Sequence, residues 1–247
     1  MPTTLTDNRA VRDAVLARVR KALGTGGNST ARSDAEAYIA AHGHGPRPAM
    51  PADLVARFMA RAMDMESTVE RINDRRDIPA AVIRYIDALE LPPALAMQKS
   101  RKGVCWPEFA DLDWAGSGLD IEARPTVGHD RLGITGAYCA IAETGTLVVL
   151  AGADTPTATT LLPDTHVATV RADRVVSGME EVFALIRRER GQLPRAVNLI
   201  SGPSRTGDIE QTIVLGAHGP FRVHILVLDQ GQTTETIASN GSMMIVA

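Results

Sequence analysis

Cysteine is scarce in this chain, with two thiols, Cys105 and Cys139, among 247 residues. Iron–sulfur clusters are usually held by four thiolates and no C-x-x-C pair occurs, so the polypeptide is expected to carry no cluster of its own. Excess charge is lacking too. The 26 Lys and Arg against 29 Asp and Glu leave a net charge of −3, which gives no general attraction to nucleic acid or to an anionic membrane. No apolar run approaches the roughly 20 residues that cross a bilayer. The N-terminal stretch is interrupted by Asp13, Arg18 and Arg20 where a secretory signal needs continuous apolar residues, so a cytoplasmic location is expected. The chain contains no G-x-x-x-x-G-K-[ST], G-x-S-x-G or G-x-G-x-x-G, which weighs against standard NTPase, esterase and dinucleotide chemistry. Its six histidines show no H-E-x-x-H or comparable spacing, and no metal or other cofactor is expected.

What is present describes an ordinary folded protein, 45% hydrophobic and 22% charged. Val11, Val15, Val19 and Leu23 recur at four-residue spacing, which predicts an amphipathic helix over Ala10 to Leu23 ending at Gly24. The GTGGNSTARS stretch after it reads as a flexible connection and HGHGPRPAMPAD as a second loop. Apolar spacing predicts a helix from Asp53, a candidate cap, toward Ile72, and another over Pro79 to Leu89. ALAMQ is a possible strand, and KSRKGVCWPEFADLDWAGSG has no sustained period and reads as irregular. Beyond about Gly133 four β-rich runs, TLVVL, HVATV, AVNLI and VHILVL, alternate with segments compatible with helix at Met179 to Arg190 and Asp208 to Leu215. That alternation predicts βαβ units and a mainly parallel sheet. The expected division is a helical region over residues 1–95 and an α/β domain over 96–247.

Ligands of open α/β sheets gather beyond the carboxyl ends of strands, which directs attention to the loops after Leu150, Val170, Ile200 and Leu228. Ser201, Gly202, Ser204, Arg205 and Thr206 follow a strand and precede the predicted helix, whose free N–H groups would favour an anion. The same residues equally describe an ordinary capping sequence. Asp208 and Glu210 lie beside this loop but would face different directions. His218 could exchange protons near neutral pH or simply satisfy its loop. In the turn before TLVVL, Glu143 is the only charge and is a candidate acid, base or nucleophile, or else an acceptor that fixes the turn. Gly145 supplies an unusual backbone angle there. Thr135 and Thr144 are candidate donors to a ligand or to loop carbonyls.

Three long blocks, GITGAYCAIAETGTLVVL, TTLLPDTHVATVRADRVV and NLISGPSRTGDIEQTIVLGAHGPFRVHILVL, closely resemble the lactate-utilisation protein C family, the LUD domain group, over roughly residues 128–229. The resemblance implies a Rossmann-like α/β sandwich similar to the sugar-phosphate isomerase and CoA-transferase group, with an N-terminal helical appendage. It also implies a non-redox subunit or accessory factor for oxidising L-lactate to pyruvate, partnered by iron–sulfur proteins. The alternative is a free-standing enzyme or sensor that binds a small anionic metabolite, such as an acyl-CoA or a sugar phosphate.

Overall fold

The N-terminal valine stripe folds as predicted, into helix α1 at Arg9–Ala22, and Gly24 beyond it takes the left-handed φ of 61° that a helix stop requires. A second helix, α2 at Ser29–Ala41, takes in residues that read as connection. The computed structural model describes residues 9–24, 29–41, 43, 45–91, 99–209 and 212–229. The chain divides into two compact units, Met1–Arg47, which contains α1 and α2, and Pro48–Ala247.

The second unit begins with α3 at Leu54–Asp64, capped by Asp53, whose Oδ1 accepts from the Ala56 amide at 2.9 Å. The helix stops there instead of running to Ile72. Thr68, Val69 and Ile72 favour extended backbone, and they form strand β1 at Thr68–Ile72. Helix α4 follows at Ile78–Ala88, with Pro79 in its first turn. The stretch expected to be irregular contains two short strands, β2 at Lys102–Cys105 and β3 at Asp120–Ala123, joined through single 3-10 turns. ALAMQ lies outside the described residues. Strands β4 at Leu132–Gly136, β5 at Cys139–Ile141, β6 at Thr146–Leu150, β7 at Thr165–Arg171 and β8 at Val175–Val176 come next. Then follow α5 at Met179–Arg190, β9 at Val197–Ile200, β10 at Arg205–Ile209, β11 at Thr212–Leu215 and β12 at Arg222–Leu228.

The predicted parallel sheet exists, with six strands in the order β1-β12-β7-β4-β2-β3 and every neighbour parallel. The four β-rich runs do not all join it. TLVVL and AVNLI pair antiparallel in a second, four-stranded sheet, β8-β5-β6-β9. The helix predicted over Asp208 to Leu215 is a β-hairpin, β10 with β11, broken by a bulge between Thr206 and Ile209. Thr206, Ile209, Thr212, Ile213 and Val214 are all β-branched and stiff at χ1, and Gly207 weakens a helix further.

Alternating side chains along the strands build distinct cores. Leu226, Leu228, Val167 and Ile134 on one face of the large sheet pack with Ile78, Val82 and Ile86 of α4. The opposite face gives Val223, Ile225, Val227, Ala168 and Val170, which meet Phe58 and Ala62 of α3 and Ala140 and Leu147 of the small sheet. The outer face of the small sheet, Cys139, Ile141 and Val148, is covered by Val182 and Ile186 of α5. Each such fully buried aliphatic or aromatic side chain contributes about 1.5–3 kcal/mol relative to exposure. The result is a layered Rossmann-like α/β sandwich, and no helix among the described residues is long and apolar enough to cross a membrane.

Candidate functional site

The carboxyl ends of β2, β4 and β6 open onto a cavity of about 540 Å³, in the place where open parallel sheets collect their ligands. Two runs of small residues, Gly136-Ala137 after β4 and Ala151-Gly152-Ala153 after β6, keep its walls close to backbone. The turn after β6 is tight because Thr155 Oγ1 donates to the Leu150 carbonyl at 2.8 Å and the Thr155 amide to Gly152 O at 3.4 Å. Trp106, the residue after β2, anchors the floor: its amide donates to Ile134 O at 3.1 Å and its indole N–H to Pro156 O at 3.3 Å.

Glu108 stands on the wall of this cavity, on a 3-10 turn, Pro107–Phe109, that Pro107 starts. Burial raises its carboxyl pKa above the ordinary value, opposed by the charge of Arg75 and by a hydrogen bond from the Gly136 amide. Gly136 makes this possible, since any Cβ there would fall on the Glu108 carboxylate. Arg75 donates to the Glu108 carbonyl and is held bidentate by Asp111 at 2.6 and 2.9 Å, which fixes the turn. A carboxyl with a raised pKa in a cleft is suited to exchanging protons with a bound ligand.

Tyr138, also on the lining, has two guanidinium groups against its ring, Arg174 at 4.7 Å and Arg190 at 5.9 Å from its centre. Its hydroxyl donates to Glu189 Oε2 at 2.8 Å, and Arg174 holds the same carboxylate at 2.7 and 2.9 Å. The Arg174 and Tyr138 hydrogen bonds lower the Glu189 pKa to about 2. Tyr138 is thereby locked as a wall. Both thiols are poor nucleophiles, because burial pushes Cys105 up to about 11 and Cys139 up to about 12.

None of the residues singled out from the sequence lines this cavity. Thr144, Gly145, Ser201 and Gly202 meet elsewhere, at the C-terminal end of α3. Thr144 Oγ1, Thr146 Oγ1 and Ser201 Oγ form a hydroxyl chain with links of 2.6 and 2.7 Å. A Cβ on Gly145 would strike the backbone of Arg61 and Ala62, and one on Gly202 the carbonyl of Met65. Arg205 pairs with Glu66, two residues past α3, which has a left-handed φ of 64°. The anion reading of the SGPSRT loop loses its physical basis here: the loop leads into a hairpin instead of a helix N-terminus, and it faces a helix's negative end and a carboxylate.

Ser204 organises the loop after the hairpin, its amide donating to Pro220 O at 2.9 Å and its Oγ accepting from the His218 amide at 3.3 Å. His218 itself is exposed, Thr206 is buried, and Glu143 is half-buried with its amide donating to Ser177 O at 3.1 Å. Asp208 falls on β10, and Glu210 lies outside the described residues. Thr135 is buried and bonded through Oγ1 to His166 Nε2 at 2.7 Å. The loop after Leu150, to which the sequence drew attention, does border this cavity, whereas Glu108, Trp106 and Arg190 were not singled out. The available signal was a proline and an acid directly after the apolar end of a short strand, in WPEF.

A family model described as the LUD domain matches residues 107–228. A lactate utilization protein C from Deinococcus radiodurans is 33% identical over 197 residues, 74% of this chain and 89% of that one. The lactate utilization protein C of Bacillus subtilis is 36% identical over 104 residues, 40% of this chain and 43% of that one. That of an Exiguobacterium species is 36% identical over 122 residues, 48% of this chain and 53% of that one. Among solved structures, the crystal structure of a DUF162 family protein from Deinococcus radiodurans matches with a TM-score of 0.50 at 24% identity, covering 73% of this chain and 99% of that chain. That likeness is one of fold. With one relative matched over nine-tenths of its length and the domain model laid across the sandwich, the chain belongs to the lactate utilization protein C family of LUD-domain proteins.

Proposed function

We propose that this protein acts in the oxidation of L-lactate to pyruvate, as a cytoplasmic subunit or accessory factor that works beside iron–sulfur companions and supplies no redox centre itself. The observation that carries the reading is the 33% identity to a lactate utilization protein C across 89% of that relative. Oxidising a hydroxy acid removes protons and an electron pair. The two cysteines of this chain are buried in strands of different sheets and are too few for a four-thiolate cluster, which supports assigning such a cluster to a companion. Proton exchange is within reach of this chain, through Glu108. The hydroxyl chain and the Arg205–Glu66 pair are assigned a structural role, holding α3 against the turns that precede β6 and follow β9.

The test is recovery of tagged full-length protein from lactate-grown cells, with L-lactate oxidation assayed for wild type, a deletion and Glu108→Gln. Co-purifying iron–sulfur proteins and oxidation that depends on Glu108 are the expected results. A protein that emerges alone, with lactate oxidation unchanged in the deletion, overturns the proposal. A second reading, a free-standing enzyme or sensor for a small anionic metabolite, is favoured by the size of the cavity. It gains ground if the purified chain binds such a ligand while the deletion leaves lactate oxidation intact.

A further inference from the structure

A three-carbon acid would leave most of a 540 Å³ cavity empty, and pockets of that size ordinarily enclose ligands several times larger. Its lining is also uneven. One wall is aliphatic, made by Leu150, Ala151, Leu193 and Pro194. Leu193 is 59% exposed, so its apolar surface lies open to whatever fills the space. The charge at the rim is uneven as well: Arg174 and Arg188 share the Glu189 carboxylate, whereas Arg190 forms no ion pair among the described residues and rests only on the Tyr138 ring. The amides of Gly152, Ala153 and Asp154, consecutive on the same lining, donate to no protein group among the described residues. Unpaired consecutive amides and a guanidinium are the two groups that hold an oxyanion.

We infer that the cavity binds an organic monocarboxylate with an apolar, ring-sized body, its carboxylate held at Arg190, its body against Leu193 and Pro194, and a hydroxyl or carbonyl at Glu108. Glu108 and Asp154 on the same lining oppose a doubly charged phosphate more strongly than a singly charged carboxylate. This rests on the cavity being the working site of the lactate reading above.

The experiment is calorimetric titration of the full-length chain with L-lactate, L-3-phenyllactate and phenyl phosphate, repeated on Arg190→Ala and Leu193→Ser. Both replaced side chains are at the surface, and urea unfolding confirms that the variants remain folded. Phenyllactate is expected to bind at least about tenfold more tightly than lactate and phenyl phosphate. Arg190→Ala is expected to weaken phenyllactate about tenfold, and Leu193→Ser to weaken phenyllactate by a larger factor than lactate. Absence of saturable phenyllactate binding, equal or tighter binding of lactate or phenyl phosphate, or indifference to both substitutions overturns the inference. Such a failure with lactate oxidation still dependent on the protein in cells leaves the broader role standing, so the two can be told apart.

Discussion

Glu108 and Gly136 depend on each other, and the dependence can be separated from stability. A Cβ at residue 136 meets only the far end of a flexible side chain, so Gly136→Ala is expected to cost less than about 1 kcal/mol in urea unfolding. The displaced carboxylate would lose its sheltered position, and its titration, followed by carboxyl-carbon NMR, is expected to fall back toward the ordinary 4.5. A variant in which Glu108 still titrates high would show that the raised value does not come from this seat. The sign for stability follows: a raised folded pKa means that the folded state binds the proton first, so stability declines as pH rises through the interval above 4.5. The buried histidines act in the opposite direction. Burial lowers both His166 and His224 to about 4 from an ordinary 6.5. Among the described residues the His166 ring bonds Thr135 alone, and His224 is stacked at 4.1 Å on Tyr85 and bonded to Thr68 at 2.8 Å. The unfolded chain therefore protonates first, and stability falls as pH drops from 6.5 toward 4, by about 1.4 kcal/mol per pH unit for each proton taken up. A His166→Gln, His224→Gln double variant is expected to show a slope shallower by nearly two protons in urea unfolding between those values. An unchanged slope would mean that neither imidazole is held neutral.

At the scale of elements, the decisive contact is between α3 and the two turns that reach its last residues. Gly202 has a φ of 78° and lies against the Met65 carbonyl, and Gly145 has a φ of 69° and lies against Arg61 and Ala62. Both neighbours are backbone and neither can yield as a side chain does. Gly202→Ala and Gly145→Ala are therefore each expected to destabilise by about 2 kcal/mol or more, combining left-handed strain with overpacking. A urea midpoint within error of wild type in either variant would show that α3 can shift, and would remove the structural role assigned to these turns. The sequence made the Gly145 turn legible because a small residue before a β-rich run has a local meaning. The Gly202 loop is not legible in the same way, because the hairpin after it carries a helix-compatible sequence. Local period could not separate the two: RTGDIEQTIVL carries acids and an amide that suit a helix start, and the β-branched residues decide only once Arg205 and Thr206 find Leu215 and Val214 across the ladder.

For the whole molecule, what could be read was whatever depends on near neighbours in sequence. The alternation beyond Gly133 foretold α/β layering, and the long blocks foretold the family. The split of four similar runs between two sheets was not legible, because TLVVL and HVATV have nearly the same pattern and their partners, β9 and β12, lie far along the chain. The site suffered the same way, since Glu108 gains its meaning only when β2 and β4 bring it to Gly136. The role of residues 48–95 is also a long-range fact. β1 pairs along its whole length with β12, Thr68 opposite His224 through Ile72 opposite Leu228, and α3 and α4 cover the two faces of the large sheet. This leads to a contrast between two truncations. A fragment of residues 48–247 retains every strand and all three cores found among the described residues, and is expected to unfold in one cooperative urea transition. A fragment of residues 96–247 loses Phe58, Ile78, Val82 and Ile86 from those cores and leaves β12 an open sheet edge. At about 1.5–3 kcal/mol for each of these four buried side chains, the loss is comparable to the whole stability of an ordinary domain, about 5–15 kcal/mol, before backbone pairing is counted. That fragment is expected to be insoluble or to lack a cooperative transition, as judged by circular dichroism and urea unfolding. A cooperative fold from residues 96–247 would instead make the α/β region a domain in its own right, with α3, β1 and α4 as additions to it.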